Sequence, residues 1–312
     1  MPQSETLQKI ISNMETVIVG KRSVIELSLI TLLSDGHLLL EDVPGVGKTT
    51  LAKSLAQSIE CSFSRVQFTP DTLPSDVTGM TIYNMQTGEF RYCAGVIMND
   101  ILLADEINRT SPKTQASLLE AMEEHQVTVD GNTYSLPQLF MVIATQNPIE
   151  QLGTYRLPEA QLDRFMMKVS MGYPEKIKDE TDIVLRIVEG EPLKSLLPVT
   201  SKEELLYIKE EIRTVTIHED IITYAVEITR NTRKNRYLTL GASPRAAIAL
   251  TRAARSRAYL LGRSYVTPED ITVLTEPVLM HRLILSSEAR LEGKKEKDIL
   301  QEVLHQTKVP IL

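Results

Sequence analysis

The sequence predicts an α/β fold: a parallel sheet covered by helices on both faces, joined to a smaller all-helical domain. Three observations predict it. Short apolar runs, polar only at their ends, alternate with helical patterns as far as about Tyr173. After Gly172-Tyr173-Pro174 the strand signal fades and long helical patterns take over. Between the first run and the helix after it lies a tight loop rich in Pro and Gly, DVPGVGKT at 42–49.

The runs are HLLLED (37–42), SRVQFT (64–69), DILLADE (100–106), LFMVIAT (139–145) and FMMKVS (165–170). Consecutive apolar positions suit strands buried on both faces, as in a parallel sheet. Two hairpins are expected to interrupt the alternation. TIYNMQTGEFRYC (81–93) turns at Gln86-Thr87-Gly88, and QVTVDGNTYSL (126–136) turns at Asp130-Gly131-Asn132, each between stretches of alternating polarity. A boundary near 172–178 divides the chain into an α/β core, 1–174, that carries both hairpins, and a helical domain, 175–312.

Composition bounds the function. With 42% hydrophobic residues in 312, the chain can bury a sizeable core. Its 34 basic and 41 acidic side chains give a formal charge of −7, against a globally basic nucleic-acid binder. Cys61 and Cys93 stand apart, without metal-ligand or disulfide spacing, so a reducing compartment is expected. No apolar stretch approaches the roughly 18 residues of a membrane span, and MPQSETLQKI lacks the charged-then-apolar plan of a signal peptide. The cytoplasm is the expected location.

The loop at 42–49 leaves a strand and opens a helix, the setting of a phosphate cradle. Gly45 and Gly47 let the backbone wrap closely enough for successive N–H groups to face phosphate oxygens, and the helix N-terminus adds partial positive charge. Pro44, Val46 and Thr50 complete the cofactor-binding stretch. Lys48 is placed to reach the β and γ phosphates and the Thr49 hydroxyl to ligate Mg²⁺, so ATP and Mg²⁺ are the expected cofactors. The pattern GxxxxGK[ST] calls for Gly at 42. Asp42 stands there instead, ahead of the wrapping amides, which predicts altered loop packing with binding retained.

Ile101-Leu102-Leu103-Ala104 delivers two carboxylates to a strand's C-terminal end, where open α/β sheets bind ligands. Asp105 would hold the Mg²⁺ water shell and Glu106 would act as general base on the attacking water. Solvated acids at a strand end are the plainer alternative. Another strand ends in Ala144-Thr145-Gln146-Asn147-Pro148, which brings the Asn147 amide to where the γ phosphate and water would sit; an Asn-Pro turn is the alternative.

These residues, in this order, carry a resemblance. EDVPGVGKTTLAKSLA, LLADEINRTSPKTQASLLEAMEE, VIATQNPIEQLGTYRLPEAQLDRF and GASPRA together closely resemble the MoxR family of AAA+ ATPases, over nearly the whole chain. The resemblance implies a five-stranded sheet of order 5-1-4-3-2, a helical lid, an insertion in the second helix and a hairpin before the sensor strand, where the two hairpins fall. It implies a homo-oligomeric ring, usually a hexamer, with ATP at each subunit boundary, and chaperone-like work on partners carrying a von Willebrand factor A (VWA) domain. By resemblance Arg164, in LDRF, is the finger reaching a neighbour's γ phosphate, and Arg245, in GASPRA, is the second sensor, touching phosphate from the lid. Val19 and Gly20, in Ile18-Val19-Gly20, resemble the edge of an adenine pocket. Arg156, Val96 and Met98 depart from the family's usual Pro, Pro and Phe.

Plainer alternatives stand beside these roles. Arg164 could pair with Asp163 or Glu159, Arg245 could be a first-turn surface residue, and Arg109 could face a neighbour or form a surface salt bridge. From Arg230 to Arg263 there are nine Lys and Arg and no Asp or Glu. A nucleic-acid groove is one reading of that stretch, and pairing with acidic neighbours across a ring is the favoured one. The leading function is an ATPase that remodels partner proteins; a nucleic-acid motor or metal-chelatase-like subunit follows, and an inactive ATP-binding scaffold comes last.

Overall fold

The computed structural model describes residues 4–148 and 154–311; residues 149–153, part of the third stretch quoted above, lie outside the described residues. Two helices, α1 (Ser4–Glu15) and α2 (Arg22–Leu33), lead into β1 (Leu38–Glu41). The glycine loop connects β1 to α3 (Lys48–Ser58), followed by β2 (Phe63–Gln67), α4 (Pro74–Thr78) and the first hairpin, β3 (Gly79–Asn84) with β4 (Glu89–Ala94). Next come β5 (Ile101–Asp105), α5 (Pro112–Glu124), the second hairpin of β6 (Gln126–Val129) and β7 (Asn132–Ser135), then β8 (Met141–Gln146), α6 (Glu159–Leu162) and β9 (Met167–Val169). Both hairpins turn where expected. Gly88 has φ 72°, and Asp130 and Gly131 have φ 49° and 80°, the left-handed pair that a two-residue hairpin turn needs.

All five apolar runs became strands of one parallel sheet, in the order β2-β5-β8-β1-β9. Numbered among themselves in chain order they read 2-3-4-1-5, which is the expected 5-1-4-3-2 seen from the other edge. Their side chains divide with period two. Leu38, Leu40, Ile101, Leu103, Met141 and Ile143 join the apolar cluster on one face, while Leu39, Leu102, Ala104, Val142 and Ala144 join the cluster on the other.

Helices dominate the rest: α7 (Ile177–Glu189), α8 (Lys202–Arg213), α9 (Glu219–Lys234), α10 (Pro244–Leu260), α11 (Pro268–Leu279), α12 (Ser287–Leu291) and α13 (Glu296–Gln306). One expectation is corrected, because this half is not all helical. β10 (Leu238–Leu240) and β11 (Ile284–Leu285) form an antiparallel ribbon. Three and two residues are too few to display an alternating pattern; the ribbon exists because Leu238 and Leu285 pack on Tyr237, Ala289 and Ile299. The apolar cluster on the α1–α3 side also runs without a break into Ile208, Leu250 and Leu274 of the later helices. Side-chain bonds reinforce this packing: Ser34 shares a hydrogen bond with Ser256, and Lys209 pairs with Asp35.

The arginine-rich stretch is corrected too. Arg257 and Arg263 both pair with the fully buried Asp270 of the same chain, so two of the nine cations hold the fold rather than a neighbour.

His37 shows how a polar residue survives in this core. Its Nδ1 accepts from Val142 N at 3.0 Å and its Nε2 lies 3.2 Å from Met122 O, so the ring is neutral with the proton on Nε2. Burial pushes its pKa down to about 4, from 6.5. An unfolded chain binds this proton below about pH 6.5 and the folded chain does so only near pH 4. This side chain's contribution to stability is therefore complete above pH 6.5 and is expected to fall by about 3 kcal/mol as the pH drops to 4. Urea unfolding at pH 7 and pH 4.5 checks this, and His37→Gln should lessen the loss while leaving that of His281, which burial also holds neutral.

Candidate nucleotide site and arginine face

The C-terminal edge of the sheet gathers the predicted chemistry. β1, β8 and β5 are neighbours, so the loop after Glu41, the Asp105-Glu106 pair and Asn147 emerge side by side. In the glycine loop Gly45 and Gly47 have φ of 85° and 92°, a conformation that side chains strain to adopt. A Cβ at Gly45 would meet nothing within 4 Å, so open space adjoins the loop where it leads to the N-terminus of α3. Such a cradle fits a polyphosphate. Lys48 Nζ donates to Asp42 O at 2.9 Å, which draws the ammonium across that loop, and Thr49 and Thr50 occupy the first turn of α3.

Asp42 has a definite task. Its buried carboxylate accepts from Ser170 Oγ at 2.7 Å, Met171 N at 2.6 Å and Gly172 N at 3.0 Å, tying the loop's base to the chain leaving β9. Asp42→Gly removes three hydrogen bonds to a charged acceptor and is expected to cost about 2–4 kcal/mol of stability. Because that carboxylate faces the β9 exit, ATP affinity should stay within about tenfold. Denaturant unfolding and calorimetry check the two halves separately.

Asp105 accepts from Thr145 Oγ1 at 2.5 Å and pairs with Arg65 at 2.7 Å. Glu106 N donates to the same Thr145 hydroxyl at 2.9 Å, so one side chain of β8 registers both acids. Glu106 has φ 56°, an uncommon left-handed conformation outside glycine, and its carboxylate lies 3.3 Å from Arg109 Nε. Of the two roles left open for Arg109, the structure displays the salt bridge. Asn147 is buried and lines a cleft of about 590 Å³ with Glu41, Asn108, Gln146 and Arg156. The described residues contain no group of three or more His, Cys, Asp or Glu able to hold a metal. One carboxylate and one hydroxyl suit Mg²⁺, which keeps most of its shell as water and phosphate oxygen. Sequence reasoning missed Arg65 and Thr145. Thr145 was visible beside Asn147, whereas Arg65 gave no local signal.

Val19, Gly45, Val46, Gly47 and Thr50 border a cleft of about 470 Å³, closed on its far side by Met171, Tyr173 and Ile183, Val184 and Ile187 of α7. Its apolar lining suits a heterocycle. Gly20 is at the nearby turn with φ 69°, and a Cβ there would come within 2.8 Å of Asp179 of α7. Val96 and Met98, two of the departures from the family pattern, form a 3-10 turn packed on the second apolar cluster.

Arg164 and Arg245 lie elsewhere. Both pair with Glu123 at the end of α5, Arg164 at 3.0 Å, in a cleft that includes His37 at the opposite end of β1 from the glycine loop. The alternative partners for Arg164, Asp163 and Glu159, are not the ones it uses. Within one subunit Arg245 stands away from the glycine loop. The cause is packing: α10 lies against α2, beneath the sheet's N-terminal edge, while α7 borders the nucleotide cleft.

Residues 37–167 match the profile of the ATPase family associated with various cellular activities (AAA), and residues 230–303 match that of the AAA lid domain. The chain is 39% identical to Chaperone MoxR1 of Mycobacterium tuberculosis, over 98% of this chain and 82% of that protein. It is 51% identical to the uncharacterized protein YeaC of Bacillus subtilis, over 98% and 95% of the two chains. A crystal structure of a candidate ATPase from Cytophaga hutchinsonii superposes with a TM-score of 0.93 at 39% identity, covering 99% of this chain and 96% of the other. With the sheet order, the lid and relatives of this identity over nearly its whole length, the chain belongs to the MoxR family of AAA+ ATPases.

Proposed function

We propose that this chain hydrolyses ATP with Mg²⁺ as a ring of identical subunits, a hexamer by family resemblance, and uses the turnover to remodel or activate partner proteins carrying a VWA domain in the cytoplasm. The observation that carries the reading is a division of labour between the two ends of β1. Lys48, Thr49, Asp105, Glu106 and Asn147 stand at one end, and Arg164 with Arg245 at the other, beyond reach of their own loop. A second copy's nucleotide is the phosphate these arginines can meet.

Lys48 neutralises phosphate charge, and Thr49 with Asp105 would hold Mg²⁺. When bound, that ion offsets charge on the β and γ phosphates. Asn147 orients the attacking water and Glu106 takes its proton as the bond from the γ phosphorus to ADP breaks. Arg164 and Arg245, from the adjacent subunit, exchange Glu123 for the γ phosphate and stabilise its developing charge.

ATP turnover with and without Mg²⁺ tests the chemistry, and Glu106→Gln should reduce it at least about 100-fold while ATP still binds. Loaded with ATP, the same variant should retain a purified VWA-domain partner. Retention of DNA instead would favour the nucleic-acid motor.

A further inference from the structure

We propose that Arg282, in the turn after α11, is a positioning residue for Arg164, with Ser243 as its counterpart, so that the packing of the lid sets where the finger stands. This rests on the reading of Arg164 as acting on the adjacent subunit's ATP.

Arg282 is only 4% exposed through its side chain, yet all of its guanidinium nitrogens are engaged. Nε donates to Asp163 Oδ1 at 2.6 Å. Nη2 donates to Phe165 O at 2.8 Å and Asp163 O at 3.2 Å, and Nη1 to Met166 O at 3.2 Å and to Val278 O. His281, beside it, lies with Nε2 3.0 Å from Phe165 O. The carbonyls on both sides of Arg164 are thus held from the lid. A buried guanidinium is costly to desolvate, and apolar packing would fill the same volume at no such cost; what the fork supplies is a fixed direction for several acceptors at once.

Ser243 closes the arrangement. Its hydroxyl donates to the other oxygen of Asp163, Oδ2, at 2.9 Å. A serine at a helix N-cap ordinarily accepts from an amide of its own first turn, but Ser243 makes no such bond to α10. Two residues on, α10 carries Arg245. Asp163 therefore registers the two arginines through its two oxygens, one held by the turn after α11 and one by the start of α10. The Arg164 side chain is not itself locked, since its pair with Glu123 is partly exposed and open to exchange. The result is a finger with a fixed base and a movable tip. Any change in lid angle would carry Arg164 and Arg245 together toward or away from the neighbouring nucleotide.

The test uses the full chain as an assembled ring. Asp163→Asn keeps the shape and removes the charge that Arg282 grips. It is expected to lower kcat about tenfold to hundredfold, the scale of a misplacement near 1 Å, with the Kd for ATP within about twofold because the glycine loop is at the far end of β1. Mixing distinguishes positioning from general damage. An Asp163→Asn subunit keeps Glu106 but misplaces its finger, so phosphate release should rise when it is mixed with Glu106→Gln, which supplies a sound finger. No rise should follow mixing with Arg164→Ala. A rise with Arg164→Ala, or an unchanged kcat per ring with only a lowered Tm, overturns the positioning role. If Asp163→Asn fails to assemble, Ser243→Ala, which removes one hydroxyl and no charge, decides in the same assay. The reference mixture of Arg164→Ala with Glu106→Gln isolates the underlying reading: if it stays flat, that reading falls and this proposal with it.

Discussion

Lys48→Ala is expected to take ATP binding below calorimetric detection. The ammonium sits at the first residue of α3 and is drawn over the glycine loop toward Asp42 O, 2.9 Å away. From there it is the mobile cation of a cradle otherwise made of backbone N–H groups. Each charge-assisted hydrogen bond it makes to a phosphate oxygen is worth about 1.5–3 kcal/mol. Two such bonds correspond to a loss on the order of 10²–10⁴ in Kd. Folding should be spared, because the ammonium serves no buried carboxylate: the acid beneath it, Asp42, spends its oxygens on Ser170, Met171 and Gly172. Unchanged affinity in a folded Lys48→Ala chain would remove the loop from the nucleotide site.

How much of this was legible in the sequence depended on the distance over which each feature is determined. The glycine loop, the Asp105-Glu106 pair and Asn147 could be read because strand, turn and chemistry lie within a few residues of one another. The hairpin turn at Asp130-Gly131 was equally local, since its two positive φ angles follow from residue type. Asp42 was only half legible. Its position ahead of the wrapping amides could be read, but its hydrogen-bond partner Ser170 lies 128 residues away, brought near by the pairing of β9 with β1. The position of Arg245 was not legible for the same reason. Nothing near GASPRA reveals that α10 packs on α2 instead of over the loop, because that choice belongs to an apolar surface shared by distant helices. The two-residue β11 was below the length at which periodicity carries information.

Arg164→Ala is expected to bind ATP normally and yet be nearly inactive, because its own cradle is intact while the neighbour's site lacks a donor. Glu106→Gln should be as inactive for the opposite reason: it cannot activate water at its own site but still presents Arg164 across the boundary. The structure makes the pair separable. Arg164 pairs with Glu123 in the cleft beside His37, and Glu106 stands beyond the far end of β5 with Arg109, so neither substitution disturbs the other's surroundings. Mixing the two variants creates some boundaries at which an intact Glu106 meets an intact Arg164. A finger contributes about 10³–10⁵ in turnover, so even a small fraction of such boundaries should raise phosphate release well above the sum of the separate variants. The rise should vary with mixing ratio and peak between the pure samples, since it needs one subunit of each kind side by side. Mass spectrometry must first show that mixed rings form. If they do and release stays additive at every ratio, Arg164 does not act between subunits, and its pair with Glu123 is a surface contact worth about 0–1 kcal/mol.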